Sequence, residues 1–155
     1  MVTEKTYTDE VNKRLESDAR KLAPLSRSVM QKNIEVAQMK HAPAKKTISF
    51  EDFQKVDIRV GTIKTVLEVA NSNKLMKLIV DFGDHTRSII AGIKQERANP
   101  REIEGKQALF IINLPEKKMA GEVSQGMLFD IGYADKIRPC LAVPEKPVPN
   151  GVRAG

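Results

Sequence analysis

From Ile48 onward, apolar and polar residues alternate with the two-residue period of half-buried strands. Asp57 to Val69 (DIRVGTIKTVLEV) predicts a long first strand, Leu75 to Phe82 a second and Arg87 to Ile93 a third. Asn71-Ser72-Asn73 and Gly83-Asp84-His85 supply the turns between them. A short helical connection is expected over 96–104, closed by Gly105, before a fourth strand over 107–114. A fifth begins at Met127 and carries Leu128, Phe129 and Ile131. Gly61, inside the first strand, predicts a bulge or bend, as a barrel corner needs. Ser49 should cap a helical turn that faces Phe50 and Phe53 inward.

Before Ile48 the period is helical. Val11, Leu15, Ala19 and Leu22 share one face over residues 8–22, and Val29, Met30, Ile34 and Ala37 another over 26–40. Pro43 and Lys45-Lys46-Thr47 break the pattern, placing a linker over 41–47. The expected division is therefore a helical extension and linker over 1–47 and a mainly β domain over 48–155. Five strands with a helix between the third and the fourth follow the order of an OB-fold, a small Greek-key barrel, although other small barrels fit this order too. The tail from Pro139 to Gly155 holds Pro144, Pro147 and Pro149, which favour an extended segment lying along a surface.

One stretch breaks the alternation. Asn113 to Met127 reads NLPEKKMAGEVSQGM, a polar and cationic passage between two apolar strands. Pro115 stops ladder pairing, Gly121 and Gly126 free the backbone, and Asn113, Ser124 and Gln125 supply short polar groups. Such loops on rigid scaffolds are where binding groups are usually displayed.

Charge adds little to this picture. The net charge of +6 and pI of about 9.5 suit a polyanionic partner, but the charge is spread out. Residues 1–47 hold 10 basic and 6 acidic side chains, and residues 48–155 hold 16 and 14. A nucleic-acid site would thus be a local arrangement. Cys140 is the only cysteine, which excludes an intramolecular disulfide and fits a reducing compartment. With no apolar run near the roughly 20 residues of a spanning helix, the expectation is a cytoplasmic protein that does not engage a membrane.

Catalytic chemistry is missing from the pattern. His41 and His85 have no second ligand at metal-binding spacing, no His or Asn follows Cys140 as a catalytic partner, and Gly121 to Gly126 lacks the Lys-Ser/Thr of a phosphate loop. Asp57 and Asp81, at strand ends, are expected to accept backbone hydrogen bonds. No enzyme, metal or cofactor is predicted; the chain reads as a binding module.

Specific residues then point to a family. Asp57-Ile58-Arg59-Val60-Gly61, Asn71-Ser72-Asn73-Lys74-Leu75, Asp81-Phe82-Gly83 and Ser88-Ile89-Ile90-Ala91-Gly92-Ile93 together resemble the tRNA-binding domain family. That family includes free-standing bacterial tRNA-binding proteins, the C-terminal appendage of methionyl-tRNA synthetases and the export chaperone CsaA. NLPEKKMAGEVSQGM is similar to the family's Asn-Leu-Lys-Pro-Arg-Lys-Met-Arg-Gly-x-x-Ser-x-Gly-Met. The resemblance runs from about Ile48 to Ile131 and leaves 1–47 uncovered. It implies that Asn113, Lys118, Met119, Ser124 and Met127 fall on the tRNA-binding surface. Lys117 would neutralise a further phosphate, and Lys74, in the first hairpin turn, would extend the cationic path.

The departures are informative. Glu116 enters where the family carries a cation, and Ala120 replaces a usual Arg. Giving up one or two phosphate partners weakens binding by roughly tenfold or more at physiological salt. The resemblance implies non-catalytic tRNA binding, as a homodimer. Its alternatives are a CsaA-like chaperone for unfolded polypeptide and an appendage that docks on a synthetase.

Overall fold

The computed structural model describes residues 41–155, so the two helices expected over 8–22 and 26–40 lie outside the described residues. Ala42–Gly155 form one compact unit. It is mainly β, an antiparallel sheet curled into an OB-like barrel, with one short helix, α1 (Phe50–Gln54).

Strand β1 (Ile58–Glu68) is the spine. Its first half pairs with β4 (Gln107–Ile111), matching Val60 to Leu109, and its second half with β2 (Met76–Asp81), matching Val66 to Leu78. β2 pairs in turn with β3 (Thr86–Ala91), and β4 with the two-residue β7 (Met127–Leu128). The two partners take opposite edges of β1 and overlap at Thr62, which pairs with both Asp81 and Gln107; the register shift falls between Ile63 and Thr65, not at Gly61. Gly61 has a different reason. A Cβ there would stand 2.6 Å from Val80 Cγ1 and 2.9 Å from Phe82 Cε1, so the glycine admits two core side chains to the strand's face.

β2 shows the period that predicted it, with Met76, Leu78 and Val80 buried and Lys77, Ile79 and Asp81 less so. Ile63, Val66, Leu78, Ile89, Ile103 and Phe110 pack the interior, and Phe82 meets Phe110 edge to face at 5.6 Å. Fully burying each such side chain contributes roughly 1.5–3 kcal/mol.

The tail is part of the barrel. β10 (Arg153–Ala154) pairs with the start of β1, the Val60 amide donates to Val152 O at 2.9 Å and the Gly151 amide to Val60 O at 2.8 Å. The Gln107 side chain holds both backbone groups of Val148. Gly151 is required, since its φ is +86° and a Cβ would lie 2.3 Å from Phe82 O.

Three further expectations need correcting. The connection between β3 and β4 is helical only as a 3₁₀ turn over Pro100–Ile103. Ser49 does cap α1, accepting from the Asp52 amide at 3.0 Å, but Phe50 and Phe53 point outward, 66% and 46% exposed. So short a helix is fixed by its caps rather than by a buried face. The strand expected to run on through Ile131 breaks after Leu128, because its partner changes. The Phe129 amide still bonds Leu109 O, but β8 (Asp130–Ile131) pairs with β9 (Cys140–Leu141) of the tail.

Candidate nucleic-acid interface

The polar stretch between β4 and β7 is itself a small hairpin. β5 (Lys117–Met119) pairs with β6 (Glu122–Ser124), placing Lys117 opposite Ser124, Lys118 opposite Val123 and Met119 opposite Glu122. Its turn is Ala120-Gly121, with φ of +49° and +85°, the left-handed pair that matches the twist of a two-residue hairpin. Opposed residues share a face. Ser124 is buried on one face, which it shares with the exposed Lys117, while Lys118 and Val123 are exposed on the other.

The hairpin is fastened to the barrel at several points. The Gln125 amide donates to Ser88 O at 2.8 Å, and the Ser88 amide donates to Gln125 Oε1 at 3.1 Å. The Ile90 amide donates to Ser124 Oγ at 2.9 Å. Arg87 Nη1 reaches both Ile112 O and Gln125 O, and Lys77 pairs with Glu122 at 2.7 Å. The edge of β3 is thereby satisfied by the very loop whose composition suggests display. Glu116, the acidic departure, accepts from Gln125 Nε2 at 3.1 Å and braces the same clasp.

Each residue singled out from sequence can now be placed. Lys117 and Lys118 are exposed on β5, and neither forms an ion pair among the described residues. Met119 and Met127 converge on a groove of about 700 Å³, lined also by Leu75, Ile90, Phe129 and Tyr133. Lys74 is exposed in the β1–β2 turn, next to Leu75, and its carbonyl accepts from the Lys94 amide at 3.1 Å. Asn113 has a structural duty: its Oδ1 accepts from the Asp57 amide at 2.8 Å and its Nδ2 donates to Lys55 O, tying α1 to the end of β4. Ser124 is similarly occupied, accepting from Ile90 and donating to Gly126 O at 2.9 Å.

Sequence reasoning misses Phe129, Tyr133, Glu96 and Asp130 as groove residues, because Phe129 reads as part of a strand and the others carry no motif. Burial pushes the Asp130 carboxyl above its ordinary value, with Arg97 opposing the shift. Burial also raises Glu96; Arg97 again opposes, and the Asp130 charge adds to the rise.

An exposed cationic hairpin thus stands beside a groove of mixed apolar and acidic lining, on a barrel of the OB class. Comparison with known proteins gives the lineage. The family described as "Putative tRNA binding domain" matches residues 58–153, and the chain belongs to it. The chain is 46% identical over 91 residues to a methionine–tRNA ligase of Chlorobium chlorochromatii, covering 59% of this chain and 13% of that protein. It is 41% identical over 117 residues to the methionine–tRNA ligase of Parabacteroides distasonis, covering 76% and 17%. It thus spans a small fraction of these ligases. Among solved structures, a MetRS-related protein from Pyrococcus horikoshii is 36% identical with a TM-score of 0.66, covering 72% of this chain and all of that one. The chaperone CsaA from Bacillus anthracis is 28% identical with a TM-score of 0.61, covering 71% and 100%.

Proposed function

We propose that the protein binds tRNA without catalysis, through phosphate contacts on the β5–β6 hairpin and apolar contacts in the adjoining groove. The observation that carries this reading is the pair Lys117 and Lys118, exposed on a hairpin whose backbone is fixed to β3. Two cations held on a rigid element meet phosphates with little entropy left to lose. Lys74 lies in the β1–β2 turn, next to groove-lining Leu75, and extends the cationic path there. Such contacts follow shape and charge, so recognition is broad across tRNA species.

The working form is a homodimer in the cytoplasm. Ile48, Phe50, Phe53 and Val56 are exposed on and around α1, and Val152 is exposed on the tail. Phe53 lies against Gly155, which brings the helix and the tail together on a surface that a second copy would cover.

Filter binding of bulk tRNA to the full chain, at two salt concentrations, tests the reading. Affinity should fall steeply with salt, because each phosphate contact releases counterions. Absence of binding overturns it. So does salt-insensitive binding of an unfolded polypeptide in place of tRNA, or stable capture of a synthetase without RNA. Sedimentation that gives the 17.3 kDa single-chain mass at micromolar concentration overturns the dimer.

A further inference from the structure

The groove changes chemistry along its length. Beside the hairpin stand Met119 and Met127, soft apolar side chains of which Met127 is 45% exposed. On the segment after β7, Phe129 and the far more open Tyr133 line the same groove. The charged groups lining it are Lys45 and three carboxylates, Glu96, Asp130 and Asp135. Asp135 accepts from the Ala42 amide at 2.6 Å, and Glu96 from Arg97 at 3.3 Å. Asp130 accepts from no other residue among those described, although its surroundings are partly dry.

An occupant suited to this groove therefore offers a flat face to the methionines and aromatic residues and hydrogen-bond donors at its edge. A carboxylate only accepts, and it repels phosphate. Among the components of RNA, guanine meets the demand best. Its N1–H and N2–H₂ stand side by side and match the two oxygens of one carboxylate, whereas uracil sets two carbonyl acceptors around its single donor. Unstacked bases in RNA loops are commonly held this way, by stacking on aromatic side chains and by hydrogen bonds to the Watson–Crick edge.

We infer that the groove is a base-binding subsite for one unstacked guanine, its ring against Tyr133 and the two methionines and its edge on Asp130. The flanking phosphates lie on Lys117 and Lys118. The inference rests on the tRNA-binding reading and adds to it a site that charge alone would not select.

Two measurements test it, both on the full chain. First, bulk tRNA is titrated against wild type and Tyr133→Ala across a salt series. The substitution should weaken binding by about tenfold or more, the scale of one base stack, and leave the slope against log salt unchanged. Second, the single strands UUGUU and UUUUU are compared. Wild type should prefer UUGUU several-fold, and Asp130→Asn should abolish the preference. Tyr133 is largely exposed, so its removal spares the fold. If wild type binds no tRNA, the underlying reading fails. If it binds tRNA but Tyr133→Ala is unaffected, or the two oligonucleotides bind equally, or Asp130→Asn keeps the preference, the subsite is overturned. Displacement of UUGUU, but not of tRNA, by an unfolded polypeptide would assign the groove to peptide and overturn it as well.

Discussion

The Ile90 amide donates to the Ser124 hydroxyl at 2.9 Å, and that bond closes the barrel across the hairpin. Ser124→Ala strands a buried N–H and leaves Gly126 O without its donor. The expected cost is about 1–3 kcal/mol, read as a lower denaturant midpoint with unchanged slope. Binding of tRNA should weaken as the hairpin loosens, but the dependence on log salt should keep its slope, because both lysines remain. A reduced slope would instead show that loosening the hairpin withdraws a lysine from its phosphate.

Lys117→Ala combined with Lys118→Ala should flatten the salt dependence of tRNA binding by roughly one unit of slope for each phosphate no longer neutralised. Both side chains are exposed, so thermal stability should hold to within about 0.5 kcal/mol. An unaltered slope would remove the hairpin from the interface.

Ala120 occupies the first left-handed position of the turn, φ +49°, where a Cβ is already strained. Ala120→Asn should stabilise the hairpin by about 0.5–1 kcal/mol, since asparagine tolerates this conformation. Ala120→Arg introduces no backbone strain that alanine lacks, and it should tighten tRNA binding by about one phosphate's worth of affinity. Equal affinity would mean that the turn points away from RNA.

Gly61→Ala should cost about 1–3 kcal/mol by forcing Val80 and Phe82 out of their present rotamers. Thermal denaturation checks this directly, and a neutral result would show that the β1 face has slack.

Two aspartates should act oppositely with pH. Arg59 holds the Asp57 carboxyl below its ordinary 3.8 through a two-point hydrogen bond. The unfolded chain takes up that proton first, so this stabilisation is complete above about pH 5 and is lost as pH falls through the lowered folded value. Asp57→Asn should flatten the acid limb of the stability curve. Asp130 is raised by burial, so the folded state holds its proton more tightly and stability is lost as pH climbs through the range above 3.8. Asp130→Asn should therefore raise the melting temperature at neutral pH. A fall would mean that the charge has a stabilising partner.

The barrel is legible in the sequence because alternation in β2 and turn residues such as Gly83 act locally, whereas the β5–β6 hairpin reads only as a polar loop, its three-residue strands being too short to show a period. What stays hidden depends on distant partners. Gly61 has the signature of a bend, yet its cause is the bulk of Val80 and Phe82 on the neighbouring strand. Asn113 and Ser124 look like display residues in one dimension, and only the fold shows the amides of Asp57 and Ile90 waiting for them. Tyr133 has no neighbour in sequence that announces a groove.

The pairing of Ile58 with Ala154 bears on how the barrel assembles. These strands meet across a separation of about a hundred residues, so the first strand cannot complete its ladder until nearly all of the domain has been synthesised. The β2–β3 ladder is local and can form early, whereas β10 closes the longest loop and bears the largest closure cost. During synthesis, the start of β1 is left as an open edge that a neighbouring chain could claim, and sealing by Arg153 and Ala154 ends that exposure.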